Sequence, residues 1–182
     1  MKQAYYILIL LFLVLFSCAS SKSKASPKQI EDLAKLIDNK KFTIESTWAH
    51  PQVTNAMQQV LNSAFMQIGS NATSVNLIGN SNYLTISGDS ISSYLPYFGE
   101  RQMGVSYNNN DSAIQLNGLL NDYKVEKNKN ESYTLSFQSR NKQEAFNTSI
   151  IIFPNLRSEI IINSSSRFPI RYSGNIISET SQ

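Results

Sequence analysis

The amino-acid sequence predicts a mainly β domain with one or two helices, in which an antiparallel meander forms a sandwich or a partly open barrel. Two patterns indicate this fold class. Short segments alternate between apolar and polar side chains, as in Ser132–Ser139, and tight polar turns such as Gly88-Asp89 separate them. A helix before the first strand is expected to pack on the sheet.

The N-terminal segment has the pattern of an export signal. Lys2 supplies a positive charge, and Ala4–Phe16 form an uninterrupted run of apolar or aromatic side chains. As a helix this run would measure roughly 20 Å, which is shorter than the ~30 Å hydrocarbon core of a membrane. Its length therefore predicts a signal peptide rather than a membrane span.

The only cysteine, Cys18, directly follows Leu15-Phe16-Ser17. This order resembles a bacterial lipobox, with an apolar residue, a small residue before the cut and then cysteine, although Phe16 stands where a small residue is usual. We expect cleavage before Cys18 and a thioether-linked, palmitate-type lipid anchor on its sulfur, since two or more acyl chains attach a protein stably. The alternatives are an ordinary signal peptide beside a chance cysteine, or a retained N-terminal span.

The predicted organisation has four parts: a signal peptide at 1–17, a lipidated flexible tether at 18–26, one β-rich domain at 27–177 and a C-terminal tail at 178–182. A length of 182 residues fits one domain and a leader. The tether is rich in Ser and Lys and has no acidic run, which favours an outer-membrane position facing the periplasm. The formal net charge of +3 does not indicate a nucleic-acid partner.

Two segments have helical periodicity. Ser26-Pro27 form an N-cap followed by proline at the first helical position, and apolar residues then recur as far as about Asn39. The second segment, Val53–Ile68, places its apolar residues on one helical face, which predicts a short helix or helical insertion.

From Lys41 the apolar period changes to two. Phe42, Ile44, Ser46 and Trp48 are predicted to share one face of the first strand. The apolar run Ile150–Phe153 predicts a strand that is covered on both faces. The other predicted strands are, in order, 75–78, 83–87, 90–95, 113–116, 122–127, 132–139, 145–153, 158–163 and 169–177.

The densest aromatic feature is Tyr94–Gly99, in which Pro96 favours a sheet edge or a strand end. In one interpretation the tract forms an aromatic lip over a groove for an apolar or glycan ligand. The residues of this candidate ligand-binding site are Tyr94, Tyr97, Phe98, Arg101 and Tyr107. In the alternative interpretation, Tyr97 and Phe98 plug the core at a corner of the sheet.

The sequence holds no convincing catalytic or metal-binding pattern. Ser90, in Gly88-Asp89-Ser90, would need a base close by to act as a nucleophile. The only histidine, His50, lies far upstream and is followed by proline, and a lone histidine without a thiolate partner cannot complete a zinc site. We therefore expect no enzyme activity, no metal and no cofactor, and interpret Gly88-Asp89 as a hairpin turn.

Two further serines are candidates for modification. Asp89-Ser90-Ile91 and Asp111-Ser112-Ala113 resemble the Asp-Ser/Thr-apolar sites at which some Bacteroidetes glycosylate exported proteins. Ser90 and Ser112 are thus candidate O-glycan sites. The alternative is turn chemistry, because Asp and Ser favour turns in any case.

A family resemblance extends from Val75 to Asn175. Together with the strand around Phe42 and the lipobox, it is carried by Gly88-Asp89-Ser90, Tyr94–Gly99, Asp122–Val125 and Ile170–Gly174. These stretches resemble an uncharacterised family of small Bacteroidetes lipoproteins, which is classed as a domain of unknown function. The resemblance implies an anchored, β-rich domain and supplies no catalytic or ligand residues.

Taken together, these features predict a non-enzymatic lipoprotein of the cell envelope. We expect its sheet to bind a small apolar or glycan ligand, or an envelope protein. The alternatives are an envelope scaffold with a structural or stress-related role and, third, an enzyme that uses Asp, Glu or Tyr in a cleft.

Overall fold

The computed structural model describes residues 25–55, 58–59, 69–102, 113–141 and 144–177. Helix α1 spans Pro27–Asn39. The strands that follow it are β1 Lys41–Pro51, β2 Val75–Asn76, β3 Tyr83–Ser87, β4 Ser90–Pro96, β5 Ala113–Leu119, β6 Asn121–Lys127, β7 Tyr133–Arg140, β8 Ala145–Ile152, β9 Arg157–Ser164 and β10 Ile170–Ile177.

All of these strands belong to one antiparallel sheet with the order β5-β4-β3-β1-β10-β9-β8-β7-β6, in which β2 also pairs with β1. The two edge strands, β5 and β6, are consecutive in the chain with Leu120 alone between them. β5 also lies against β7. The sheet therefore curls into a nearly closed barrel, which confirms the predicted fold class.

Within the described part of the chain, the interior of the barrel holds one hydrophobic cluster, to which every strand except β6 contributes buried side chains. On β8, Ile150 and Ile152 are fully buried, whereas Ile151 is half-buried on the outer face. The sequence predicted a strand that is covered on both faces, but only the inner face of β8 is fully buried.

Helix α1 begins with a capping box. The hydroxyl oxygen of Ser26 accepts a hydrogen bond from the Gln29 amide, and the Gln29 side chain accepts one from the Ser26 amide. The helix buries Leu33 and Ile37 in the same hydrophobic cluster as the strands. The predicted packing of an N-terminal helix on the sheet is confirmed.

The C-terminal end of α1 is fixed at Lys40, which adopts a left-handed conformation with φ 46°. The Lys40 ammonium lies 3.0 Å from a carboxylate oxygen of Asp89 in the β3–β4 turn. It also lies 4.8 Å from the ring centroid of Tyr123 on β6. The gap between the two sheet edges lies between β5 and β6. Because the β3–β4 turn is on one side of this gap and β6 is on the other, these contacts hold α1 across one end of the barrel.

A β-bulge in β1 determines which side chains reach the outer surface. The register of β1 against β10 shifts between Ser46 and Trp48, so that Thr47 is the extra residue. Ser46 before the bulge and Ala49 after it are both buried, and Trp48 lies half-buried on the outer face. The prediction that Trp48 shares the buried face with Phe42 is wrong, because an extra residue reverses the alternation.

Gly174 on β10 faces this bulge. It pairs with Ser46, and a Cβ atom on Gly174 would lie 2.0 Å from the Glu45 carbonyl oxygen and 2.6 Å from the Ser46 Cα. The two backbones thus approach more closely than any side chain at this position would allow. The close approach leaves the inner surface between β1 and β9 without a large side chain.

Several predicted segments lie wholly or largely outside the described residues. These are the leader with Cys18, most of the tether, most of the predicted helix Val53–Ile68, the positions of Tyr107 and Ser112, and the tail 178–182. Within the described part of the chain, no helix has both the length and the apolar character needed to cross a membrane.

Candidate functional site

The predicted aromatic tract divides between the outer surface and the barrel end opposite α1. Tyr94 lies on the outer face of β4, is 40% exposed and pairs with Tyr83 of β3. Tyr97 and Phe98 follow the end of β4 and pack partly against the core. The structure therefore does not place Tyr94 on a shared groove with the other two side chains.

Tyr97 is held firmly in its position. Its hydroxyl lies 2.8 Å from the carbonyl oxygen of Glu100 and 3.0 Å from that of Phe168. The Arg167 guanidinium lies over the ring, 5.0 Å from its centroid. Burial raises the pKa of the Tyr97 hydroxyl to about 12, and the nearby guanidinium only partly opposes this rise. Tyr97 is thus a neutral side chain that closes the barrel end.

Beside the Tyr97 ring lies a buried ion pair that the sequence patterns did not indicate. Arg167 Nε lies 3.0 and 2.9 Å from the two carboxylate oxygens of Glu144, and both residues are about 5% exposed or less. The Ser166 hydroxyl donates to the same carboxylate. Both charged residues lie in polar loop segments, where no periodicity marks a buried position.

Arg101 lies beside this ion pair rather than over a groove. It forms an isolated antiparallel bridge with Arg167, flanked by hydrogen bonds from the Gln102 amide to the Ser166 carbonyl and from the Phe168 amide to the Glu100 carbonyl. The segment that carries Arg101 is therefore held to the β9–β10 connection by backbone hydrogen bonds. Tyr107 lies outside the described residues, so its predicted place in the lip stays a prediction.

Ser90 lies at the exposed start of β4, beside the turn that contains Gly88 and Asp89. The only histidine, His50, is on β1 with Nε2 3.5 Å from the Ser173 hydroxyl. The two positions belong to different parts of the sheet. Among the described residues there is also no group of three or more His, Cys, Asp or Glu side chains that could hold a metal ion.

A cleft of about 940 Å³ lies at the helix-covered end of the barrel. Its walls are the N-terminal part of α1, the β6–β7 turn and the β8–β9 turn, and its floor is formed by β1, β10 and β9. We call this the Trp48 cleft. Its lining comprises Ala25, Gln29, Ile30, Thr47, Trp48, Lys129, Asn130, Glu131, Phe153, Pro154, Asn155, Arg157, Ser158, Glu159, Ser173, Gly174 and Asn175.

Strand pairing explains how the floor is assembled. Trp48, Ser173 and Glu159 form one outward row across β1, β10 and β9, and Asn175 and Arg157 form the next. The bulge at Thr47 turns Trp48 to this surface. The sequence patterns missed the cleft because its residues come from five separate segments of the chain, and because the alternation placed Trp48 on the buried face.

Below this floor lies a row of small residues, Ser46, Gly174 and Ser158, on adjacent strands. Two of these, Gly174 and Ser158, line the cleft. Both serines are 2% exposed, and neither hydroxyl has a hydrogen-bond partner among the described residues. A buried hydroxyl without a partner costs free energy, so these two serines mark a place where packing alone does not account for the residue type.

A second, smaller depression of about 580 Å³ lies further along β1, β10 and β9, nearer the barrel end opposite α1. Its lining includes His50, Thr73, Ile161 and Arg171. His50 and Arg171 are paired across β1 and β10. The depression adds a cationic side chain and an imidazole to the outer surface but no converging set of catalytic groups.

Comparison with known proteins gives a family and a fold. Residues 24–176 match the family DUF4251, described as a domain of unknown function. The crystal structure of a DUF4251 family protein from Bacteroides eggerthii is similar, with a TM-score of 0.54 and 11% sequence identity over 82% of this chain and 87% of that chain. No curated protein matches the chain. The chain belongs to the DUF4251 family.

Proposed function

We propose that this DUF4251 protein is a lipid-anchored lipoprotein of the cell envelope whose barrel binds a ligand in the Trp48 cleft without transforming it. The observation that carries the proposal is the cleft itself. Its volume of about 940 Å³ lies within the range of ~300–1,000 Å³ that is typical of ligand pockets. A half-buried tryptophan in its floor offers a large, rigid contact surface at a low cost in conformational entropy.

The composition of the cleft favours binding over catalysis. Four lining residues carry neutral amides, and neither histidine nor cysteine is among the described lining residues. The Glu131 carboxylate lies 2.7 Å from the Lys127 ammonium, so this acid is already engaged in an ion pair. Orientation by amides and one aromatic ring is what a binding site requires.

The position of the cleft relative to the proposed anchor supports the same function. Ala25, which lines the cleft, follows Cys18 by seven residues, and an extended chain of that length spans at most about 25 Å. A lipid on Cys18 would thus hold the cleft close to a membrane surface. We propose the outer membrane, with the barrel facing the periplasm, and a small molecule or an envelope protein, not nucleic acid, as the ligand.

A photo-crosslinking amino acid in place of Asn155, in the β8–β9 turn, tests the proposal in the native host. We expect a defined adduct that disappears when Trp48→Ala is added. The matched control carries the crosslinker at Leu119, which is 68% exposed on edge strand β5 and does not line the cleft. No adduct at Asn155, or the same adduct at both positions, would contradict ligand binding and favour an inert envelope scaffold.

A further inference from the structure

We infer that the ligand of the Trp48 cleft is a neutral saccharide of a few sugar units. This inference rests on the proposed function, because it names the chemical class of the ligand for that site. Two observations carry it: the aromatic floor with its polar rim, and the balance of charge around the cleft.

The first observation is the pairing of one aromatic surface with many neutral hydrogen-bonding groups. Trp48 forms the floor, and the amides of Gln29, Asn130, Asn155 and Asn175 surround it. An amide donates and accepts hydrogen bonds at once. A sugar needs this combination, since it presents an apolar C–H face for stacking and hydroxyl groups around its edge that both donate and accept.

The second observation is that charges in the lining balance. Lys129 and Arg157 are matched by Glu131 and Glu159. A polyanion such as nucleic acid or a strongly acidic glycan binds through an excess of Lys and Arg, which this lining does not have. A neutral ligand fits the cleft better than a charged one.

The backbone of the floor argues against an extended peptide. Such a peptide binds by adding a strand to an exposed sheet edge. The floor strands β1, β10 and β9 lie in the middle of the sheet, with neighbours on both sides. They therefore have no unpaired edge to offer within this surface.

The lining also argues against an acyl chain. Ile30, Phe153, Pro154 and Trp48 are the only large apolar side chains among the described lining residues. They are interrupted by amide and charged groups, whose desolvation by a hydrocarbon chain would be costly. Polar hydroxyl groups of a sugar would instead satisfy them.

The test uses the acylated protein extracted in a zwitterionic detergent that contains no sugar. Trp48 is the only tryptophan of the chain, so its fluorescence reports directly on the cleft. The probes are neutral hexose and N-acetylhexosamine di- to tetrasaccharides. We expect a saturable change in Trp48 emission with at least one of them, and calorimetry gives the Kd of each variant.

Three variants make the assignment specific. Trp48→Ala should raise the Kd at least about tenfold through loss of stacking. Asn175→Ala should raise the Kd about fivefold through loss of an amide hydrogen bond to the sugar. Leu119→Ser, the matched control on edge strand β5, where Leu119 is 68% exposed outside the cleft, should change neither Kd nor emission.

The outcomes separate the inference from the proposed function. If no saccharide binds, or if binding survives Trp48→Ala, the saccharide assignment is wrong. If the Asn155 crosslinker nevertheless gives a Trp48-dependent adduct, ligand binding in the cleft stands with a ligand of another class. If neither experiment gives a signal, both ideas fail.

Discussion

The side chain of Arg167 meets both carboxylate oxygens of Glu144 inside the barrel end, at 3.0 and 2.9 Å from its Nε atom. Ser166 adds a hydrogen bond to the same carboxylate, and Tyr97 lies under the guanidinium. The pair joins the segment before β8 to the β9–β10 connection. Two charges removed from water in this way make the barrel end depend on both partners being present.

Removal of one partner should be far more damaging than removal of both. Glu144→Ala leaves the buried guanidinium without its carboxylate, and we expect the free energy of unfolding to fall by about 3–5 kcal/mol. The double variant Glu144→Leu with Arg167→Met should lose less than Glu144→Ala alone, because no charge remains buried. Urea denaturation of the wild-type protein and the two variants measures this, and a double variant that loses as much stability as Glu144→Ala, or more, would contradict the expected coupling.

Alkaline pH should destabilise the barrel through Tyr97. Its pKa is about 12 in the folded protein against an ordinary value of 10.0. Between these values the folded state retains a proton that the unfolded state has lost, so the free energy of unfolding falls as pH rises. Burial also raises the pKa of Tyr172 well above its usual value, which adds to the fall in the same direction.

Denaturation curves recorded from below pH 10 to about pH 12 check this prediction. In Tyr97→Phe the decline should be shallower, although the variant starts from a lower stability because a hydrogen bond is lost. An unchanged slope in Tyr97→Phe would show that Tyr97 does not contribute to the pH dependence.

Gly174→Ala should disrupt the junction of β1 and β10. The new methyl group would lie 2.0 Å from the Glu45 carbonyl oxygen, so the strands must separate or the bulge must rearrange. We expect a loss of about 3 kcal/mol or more. The control is Gly118→Ala on edge strand β5, where nothing lies within 4 Å of the new atom. It should be neutral or stabilise by up to about 1 kcal/mol, and thermal melts compare the two.

Substitution of Cys18 tests the proposed anchor. Cys18→Ser should abolish lipidation, so that the mass of the mature protein loses the acyl chains and the protein moves from the membrane fraction to the soluble fraction. Intact-mass spectrometry of the wild-type protein should show a chain that begins at residue 18. A wild-type protein that retains residues 1–17 and carries no lipid would contradict the anchor.

Glycosylation of Ser90 is testable in the same spectra. Ser90 lies exposed at the start of β4, and the neighbouring Asp89 carboxylate is bound by Lys40. If Ser90 and Ser112 carry O-glycans in the native host, the protein mass should exceed the sequence mass plus lipid by sugar increments. The variants Ser90→Ala and Ser112→Ala should each remove part of that excess. A native mass without increments would refute the modification.

The strands were predictable from sequence because their inward faces bury one alternating apolar row. Tyr83–Ser87 was predicted with the bounds that the structure shows, and the start of α1 followed from the Ser26-Pro27 signal. Trp48 escaped prediction because a bulge depends on the approach of a distant strand, here made possible by Gly174. Local alternation holds no information about that approach.

The buried ion pair and the cleft escaped prediction for a related reason. Glu144 and Arg167 lie in loops, where charged residues are normally solvated, and only the closure of the barrel buries them. The cleft brings Gln29 together with Asn130 and Asn155, which lie more than a hundred residues further along the chain. Its polar composition resembles an ordinary surface until the fold brings these residues together.

The adjacency of β1 and β10 in the middle of the sheet also affects how the chain folds. The earliest strand to leave the ribosome pairs with the last, so the centre of the barrel stays open until Ile170–Ile177 is delivered. Contacts between segments that are so far apart in sequence slow folding. Until β10 has been synthesised, β1 could pair with a wrong strand. A chaperone that binds the unfolded chain should therefore protect β1 until synthesis is complete.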